Sequence, residues 1–458
     1  MTLLLLACAE APATNTEHVD VTCDESITAV VEPTEIATAP RVRFVTDESV
    51  ISRVVFDNGD ATERRSDPDA VGTDHAHVLV GILPEVEFAF RVEVLDGSEY
   101  RCVATGTGET GPLPAGLPEW STLSPEPDKL APGLNLIPMI TSAMPADSWL
   151  VIVDESGRAV WAWDASGEIS GTLATRAWPA RDRDGILFNS GATSANNPSL
   201  LARVHFDGTW EKIATPLGGH TDFVELDEGR IAYIGWEIRE FENQTLLGDH
   251  VSVVDADGVL QTLWKSFDNI PIDLDTHWPT GFYMADADVG DWSHVNGINW
   301  DADSGDIFVT MSVWDGVARI DGATGEQEWL LGSGVGDFTS PTGEKVTDMP
   351  HSVAWLGQDE LLVFNRTAPS SSGACSRAVD ISLDTASGVS NVEGTLTGDA
   401  CTVVSFLGAA ERLENGNTMI DWSSAGRLDE VAPGGETLWS LRLEAGAVMG
   451  FTSRIPEN

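Results

Sequence analysis

The chain is poor in positive charge. Only 25 lysines and arginines, four of them lysine (Lys129, Lys212, Lys265, Lys345), stand against 73 aspartates and glutamates, for a net charge of −48 over 458 residues. Such a surface repels polyanions and excludes nucleic acid as a partner. It suits solvation in salty water. Segments with helical periodicity are almost absent, which points to an all-β chain. No stretch after the opening residues is long and apolar enough to span a bilayer. Cysteines number five, and no CxxC or other zinc-type spacing occurs among them.

What is present divides the chain. Met1-Thr2-Leu3-Leu4-Leu5-Leu6-Ala7-Cys8 resembles the end of a bacterial lipoprotein signal without its basic start. Residues 1–8 are therefore expected to be a signal remnant with a lipid anchor on Cys8, and residues 9–21 a polar tether. The protein would be exported, to the periplasm or cell surface. The remaining four cysteines, Cys23, Cys102, Cys375 and Cys401, suggest two disulfides, with pairing inside each module the simpler arrangement. Residues 22–110 alternate apolar and polar in short runs, as in Arg41-Val42-Arg43-Phe44-Val45 and Phe88-Ala89-Phe90-Arg91-Val92. This predicts a small β-sandwich, and Leu83 to Val92 is similar to the late strands of a fibronectin type III module. His75 and His77 in this part read as strand and turn residues. Residues 111–135, rich in Pro and Gly, read as a linker or strap.

From 136 to 458 one phrase returns, an acidic or Gly turn followed by a strand that often carries Trp. It starts at Asp154, Asp207, Asp255, Asp321, Asp384 and Pro433, with Trp161, Trp210, Trp264, Trp329 and Trp439 following. Recurrence at this spacing predicts a six-bladed β-propeller. The tryptophans read as blade packing.

Three histidines stand before apolar runs of similar form: His220-Thr221-Asp222-Phe223, Trp292-Ser293-His294-Val295-Asn296-Gly297, and Met349-Pro350-His351-Ser352. Equivalent positions in a propeller point at one axis, so the three are expected in register around a shared pocket. Three imidazoles could bind zinc or copper, or supply a nucleophile and an acid–base partner. Asn296, Asn365, Arg366 and Ser376-Arg377 nearby favour an oxyanion such as sulfate.

These phrases, with Arg319-Ile320-Asp321 through Trp329-Leu330-Leu331-Gly332, Val363-Phe364-Asn365, Ser376-Arg377-Ala378-Val379 and Glu430 through Trp439, resemble the bacterial arylsulfate sulfotransferase family over roughly 140–458. The resemblance implies a six-bladed propeller behind a β-sandwich, export, and no phosphoadenosine cofactor. It implies transfer of a sulfuryl group from an aryl sulfate to a phenol through a sulfohistidine. By position, His351 resembles the nucleophile and His294 the acid–base residue, while His220 and Asn296 resemble groups holding the sulfuryl oxygens. Arg377 and Asn365 are expected to bind substrate as well. No cofactor and no metal are expected, and the sequence does not set an oligomeric state. The family carries an Arg where Ser312 stands here. Arg377, Arg366 and Arg454 are the candidates to replace it. The alternative is a propeller on the cell surface that binds a ligand or holds a metal without catalysis.

Overall fold

The computed structural model describes residues 23–457 except 125, 142–144, 243, 279–288, 333, 368–374 and 400. Cys8, the signal remnant and the tether lie outside the described residues. The short alternating runs at the start pair into two sheets. One orders Val30–Glu32, Arg41–Val50 and Gly72–Val78; the other orders Glu63–Arg65, Ser52–Asp57, Glu87–Asp96 and Glu99–Glu109. Alternation sends one face of each strand inward, so Val42, Phe44, Val54, Phe56, Phe90 and Val92 meet between the sheets. Cys23 and Cys102 are joined by a disulfide. His75 and His77 are buried strand residues that stack on Phe44 and bond Ser52.

From Trp120 onward, six sheets follow one another among the described residues, antiparallel throughout except where Val289–Asp291 pairs in parallel with Gln244–Val254. The recurring turn joins the outer two strands in the first five sheets, and in the sixth the two strands inside Trp120–Leu123. In it an Asp side chain accepts main-chain N–H groups two to four residues on, as Asp154, Asp255, Asp321 and Asp384 do. The glycine of the turn, Gly157, Gly258, Gly325 or Gly388, has positive φ. Trp161, Trp264, Trp329 and Trp439 are buried between sheets, as packing requires. Trp210 is the exception, at 38% exposure.

The first strands of successive sheets pack on one another: Leu134–Thr141, Ala174–Pro179, Gly219–Glu225, Val295–Trp300, Pro350–Gly357 and Ala409–Arg412. The C-terminal strands Ala447–Met449 and Ser453–Ile455 pair with Leu134–Thr141 inside the first sheet, and Ser423–Ala425 of the sixth sheet touches Ala447–Met449. The ring closes by this exchange, which is β-propeller architecture. Trp120–Leu123, inside the segment read as a linker or strap, adds a fifth strand to the sixth sheet by pairing with Thr437–Leu443. Cys375 and Cys401 form the second disulfide. Among the described residues no helix is long and apolar enough to cross a membrane.

The sandwich sits against the propeller. Ile36 and Ala39 join the apolar cluster of Leu134, Leu136 and Val204. Arg64 bonds Glu155 and Glu457 at 2.8 and 2.9 Å, Arg183 bonds Asp67 at 2.7 Å, and Arg41 pairs with Asp207. Deleting residues 446–457 would leave the inner edge of Leu134–Thr141 unpaired. The shortened chain is expected to lose its cooperative thermal unfolding transition, as followed by circular dichroism.

Candidate active site

The first strands of the second to fifth sheets each break register near their start, after Ala174, His220, Val295 and Pro350, and resume at Arg176, Phe223, Gly297 and Ser352; the fifth breaks again between Trp355 and Gly357. The residues just before resumption, Thr175, Asp222, Asn296 and His351, are therefore equivalent. A bulge re-aims a side chain, and here it does so in four neighbouring strands. The expectation of three histidines in register is corrected by this ladder. His294 is equivalent to Met349, and both have left-handed backbone, at φ +52° and +51°. His351 is equivalent to Asn296.

Gly297 explains how two of these strands come together. A Cβ there would lie 2.6 Å from the His351 carbonyl oxygen and 2.9 Å from Ser352 Cα. Only glycine lets the fourth sheet approach the fifth this closely, which brings the His294 and Asn296 strand against the His351 strand.

His351 is buried, and its Nδ1 has no hydrogen-bond partner among the described residues. Burial, then the Arg366 guanidinium, then His294 hold its pKa well below the ordinary histidine value. It is a neutral imidazole beside a cation. The Phe451 ring lies 5.7 Å away. Arg366 follows the strand Glu360–Asn365 and is buried; its Nη1 donates to the Ser405 carbonyl at 2.9 Å.

His294 meets a carboxylate. Its Nδ1 lies 2.5 Å from Asp291 Oδ2, three residues back, with both groups buried. The half-buried Trp278 ring lies 4.4 Å from the imidazole centroid. Asn296 Nδ2 donates to Ser312 Oγ at 2.7 Å, and Ser312 Oγ donates to the Pro350 carbonyl at 2.9 Å. Ser312 thus ties the fourth sheet to the fifth.

His220 is engaged elsewhere. Its Nδ1 is 2.8 Å from Thr221 Oγ1, its Nε2 is 2.8 Å from Asp249 Oδ1, and its ring stacks on Trp236. Asp249 Oδ2 in turn accepts from Ser293 Oγ and the Val295 N–H. His220 therefore supports the loop that carries His294, and neither of its nitrogens is offered to a substrate oxygen. Asn365 is likewise committed: its Oδ1 accepts the Asp348 N–H and its Nδ2 donates to the Val346 carbonyl. Arg377 pairs with Asn365 across the ladder and has an unpartnered Nε, but the guanidinium acting on His351 is that of Arg366.

Asp291, Asp249 and Trp278 escaped the sequence reading. Asp291-x-x-His294 was the one available signal; the other two are distant in sequence. Beneath the site, buried Arg176 lies 3.4 Å from Asp222 and its guanidinium stacks on Trp178. Burial raises the pKa of Asp222, and that of Asp421 to about 7.

A metal held by the three imidazoles does not fit this geometry. Among the described residues, the one cluster with metal-ligand proximity is Asp306, Asp321 and Glu328. Arg319 already pairs with Asp306 and Glu328 there.

Fold and site together define a β-propeller with a neutral buried histidine, a neighbouring guanidinium and a second histidine braced by a carboxylate. The arylsulfotransferase (ASST) family model matches residues 121–384, more than half of the chain, and the chain belongs to that family. Membership supports an arylsulfate sulfotransferase-like function. The match ends at Asp384, with the third strand of the fifth sheet, and includes His220, His294 and His351; the phrase from Glu430 to Trp439 lies beyond it.

No curated protein matches the chain. Among solved structures, it is similar to a protein of unknown function from Bacteroides caccae at 14% identity, covering 71% of this chain and all of the other, with a TM-score of 0.44. It is also similar to the Cps50 (Swd1) beta-propeller domain of Myceliophteria thermophila at 13% identity, covering 68% of this chain and 84% of the other, with a TM-score of 0.36. Scores this low carry no argument about function.

The neutral state of His351 has a measurable consequence. In the unfolded chain this histidine gains a proton below about pH 6.5, whereas in the fold it resists protonation. The unfolded state then binds the extra proton, and stability falls as pH drops below 6.5, by up to about 1.4 kcal/mol per pH unit. His351→Asn removes this contribution. The unfolding free-energy difference between chain and variant, from urea titrations at pH 7.5 and 5.5, is expected to shift in favour of the variant at the lower pH.

Proposed function

We propose that the protein transfers a sulfuryl group from an aryl sulfate to a phenol through a sulfohistidine on His351. The observation that carries this reading is the neutral, buried His351 imidazole placed under the influence of the Arg366 guanidinium and of His294. A nitrogen of His351 attacks sulfur as the sulfur–oxygen bond to the aryl group breaks. His294 gives its proton to the departing phenolate, and Asp291 orients that ring through its Nδ1. In the second half, His294 takes the proton of the acceptor phenol as its oxygen attacks sulfur and releases His351. Arg366 and Asn296 offset the charge on the sulfuryl oxygens. Arg366 thus stands in for the arginine that Ser312 replaces. Arg377 borders the same sheet end and extends the positive lining toward the substrate.

The organisation around this site is read as a fibronectin type III-like module over 22–110, a linker over 111–135 and a six-bladed propeller over 136–458. The strand order of the two N-terminal sheets supports the first part. Two disulfides agree with export, and the opening sequence supports a lipid anchor on Cys8.

The test is incubation of the chain lacking residues 1–20 with a chromogenic aryl sulfate, with and without added phenol, followed by peptide mass spectrometry. Phenol-dependent turnover and an SO3 adduct on His351, both lost in His351→Asn, are expected. Absence of turnover and adduct across several aryl sulfates would overturn the reading. Arg366→Met is expected to lower kcat/KM by about 10²–10³-fold, whereas Asn365→Ser should lower thermal stability through the loop at Val346–Asp348 and leave kcat/KM of the folded protein within about threefold.

A further inference from the structure

We propose that Trp278 is the surface against which the substrate's aryl ring packs, and that it sets the preference for ring size. The inference rests on the sulfotransferase reading above and adds a specificity residue to it.

Trp278 is half-buried, while the two groups beside it, His294 and Arg366, are buried. Its ring centroid lies 4.4 Å from the His294 imidazole and 5.9 Å from the Arg366 guanidinium carbon. The indole therefore borders both the group that handles the phenolic proton and the cation that faces the sulfuryl charge. An aryl sulfate bound between those two groups carries its ring on the ester oxygen, and so must place that ring beside the indole.

The placement of Trp278 is not incidental to the strand next to it. Its N–H donates to the Asp291 carbonyl at 2.8 Å, and the Asp291 N–H donates back to the Trp278 carbonyl at 3.3 Å. The Asp291 side chain holds His294 at 2.5 Å. One residue thus fixes the imidazole through its carboxylate and the indole through its main chain. A shift of either ring relative to the other would break bonds to Asp291. A rigid indole presents a large apolar face at small entropic cost, and aromatic pairs favour offset or edge-to-face contact. A larger ring covers more of that face, which makes the contact sensitive to ring size.

The competing role is a structural cover over His294. The two roles separate in kinetics. Phenyl sulfate and 2-naphthyl sulfate are compared as donors in the whole chain, W278F and W278A, over a pH series. As a platform, Trp278→Ala should raise KM by about threefold for phenyl sulfate and about tenfold for 2-naphthyl sulfate. Trp278→Phe should recover most of both losses. In every variant kcat, the pH profile of turnover, and the SO3 adduct on His351 should be retained. Equal KM values in the chain and in Trp278→Ala would overturn the proposal. So would a fall in kcat of the same size for both donors with a displaced pH profile, which marks a cover. If the unsubstituted chain turns over neither donor and forms no adduct, the sulfotransferase reading itself has failed and the platform falls with it. If the chain is active and Trp278→Ala matches it, the platform alone is wrong.

Discussion

The site depends on the close approach of two strands at Gly297. Without a side chain there, the fourth sheet's first strand reaches the main chain of His351 and Ser352. Everything on either strand is then placed by the approach. Ser312 closes the gap by bonding Asn296 on one side and the Pro350 carbonyl on the other. A methyl group at Gly297 would have to displace backbone, which a packed propeller interior cannot absorb cheaply.

That approach puts His351 in a dry environment, and dryness decides its chemistry. A buried imidazole loses its charged form first, and Arg366 adds to the effect. The same guanidinium that disfavours a charged His351 is suited to meet an anion. His294 is built differently, with the Asp291 carboxylate at its Nδ1. Two histidines of one chain are thus given different surroundings: His351 is buried beside a guanidinium, and His294 is held by a carboxylate. His220 differs from both, because Thr221 and Asp249 occupy its ring nitrogens and its role is to brace the turn before His294. Around this site the protein is strongly acidic, yet Arg366, Arg176 and Arg427 are buried inside the propeller. Interior cations of this kind cost desolvation and are compensated by partners such as Asp222 and Asp429.

Much of the architecture was legible in the sequence because it repeats. The Asp-to-Gly turns with their following tryptophans marked the outer strands of each sheet, since the Asx turn and the buried indole need only local sequence. The even set of cysteines behind Cys8 indicated two bridges, and Cys23–Cys102 and Cys375–Cys401 form within their own parts of the chain. The sequence also drew attention to His294 and His351. It could not align them, because one bulged residue moves a side chain by a position without leaving a mark in the apolar pattern.

Composition and local pattern by themselves determined an all-β chain, a sandwich followed by recurring sheets, an acidic surface and the motifs around His294 and His351. These follow from periodicity and turn chemistry, which act over a few residues. Tertiary structure alone decided which arginine meets His351, since Arg366 and Arg377 end neighbouring strands and only the fold aims one of them. It also gave Asn365 to the Val346–Asp348 segment, Asp249 to His220, and Trp278 to the face of His294. Those pairings join different strands or a strand and a loop, as His220 and Asp249 do within the third sheet, and only the folded arrangement of the sheets brings them within bonding distance.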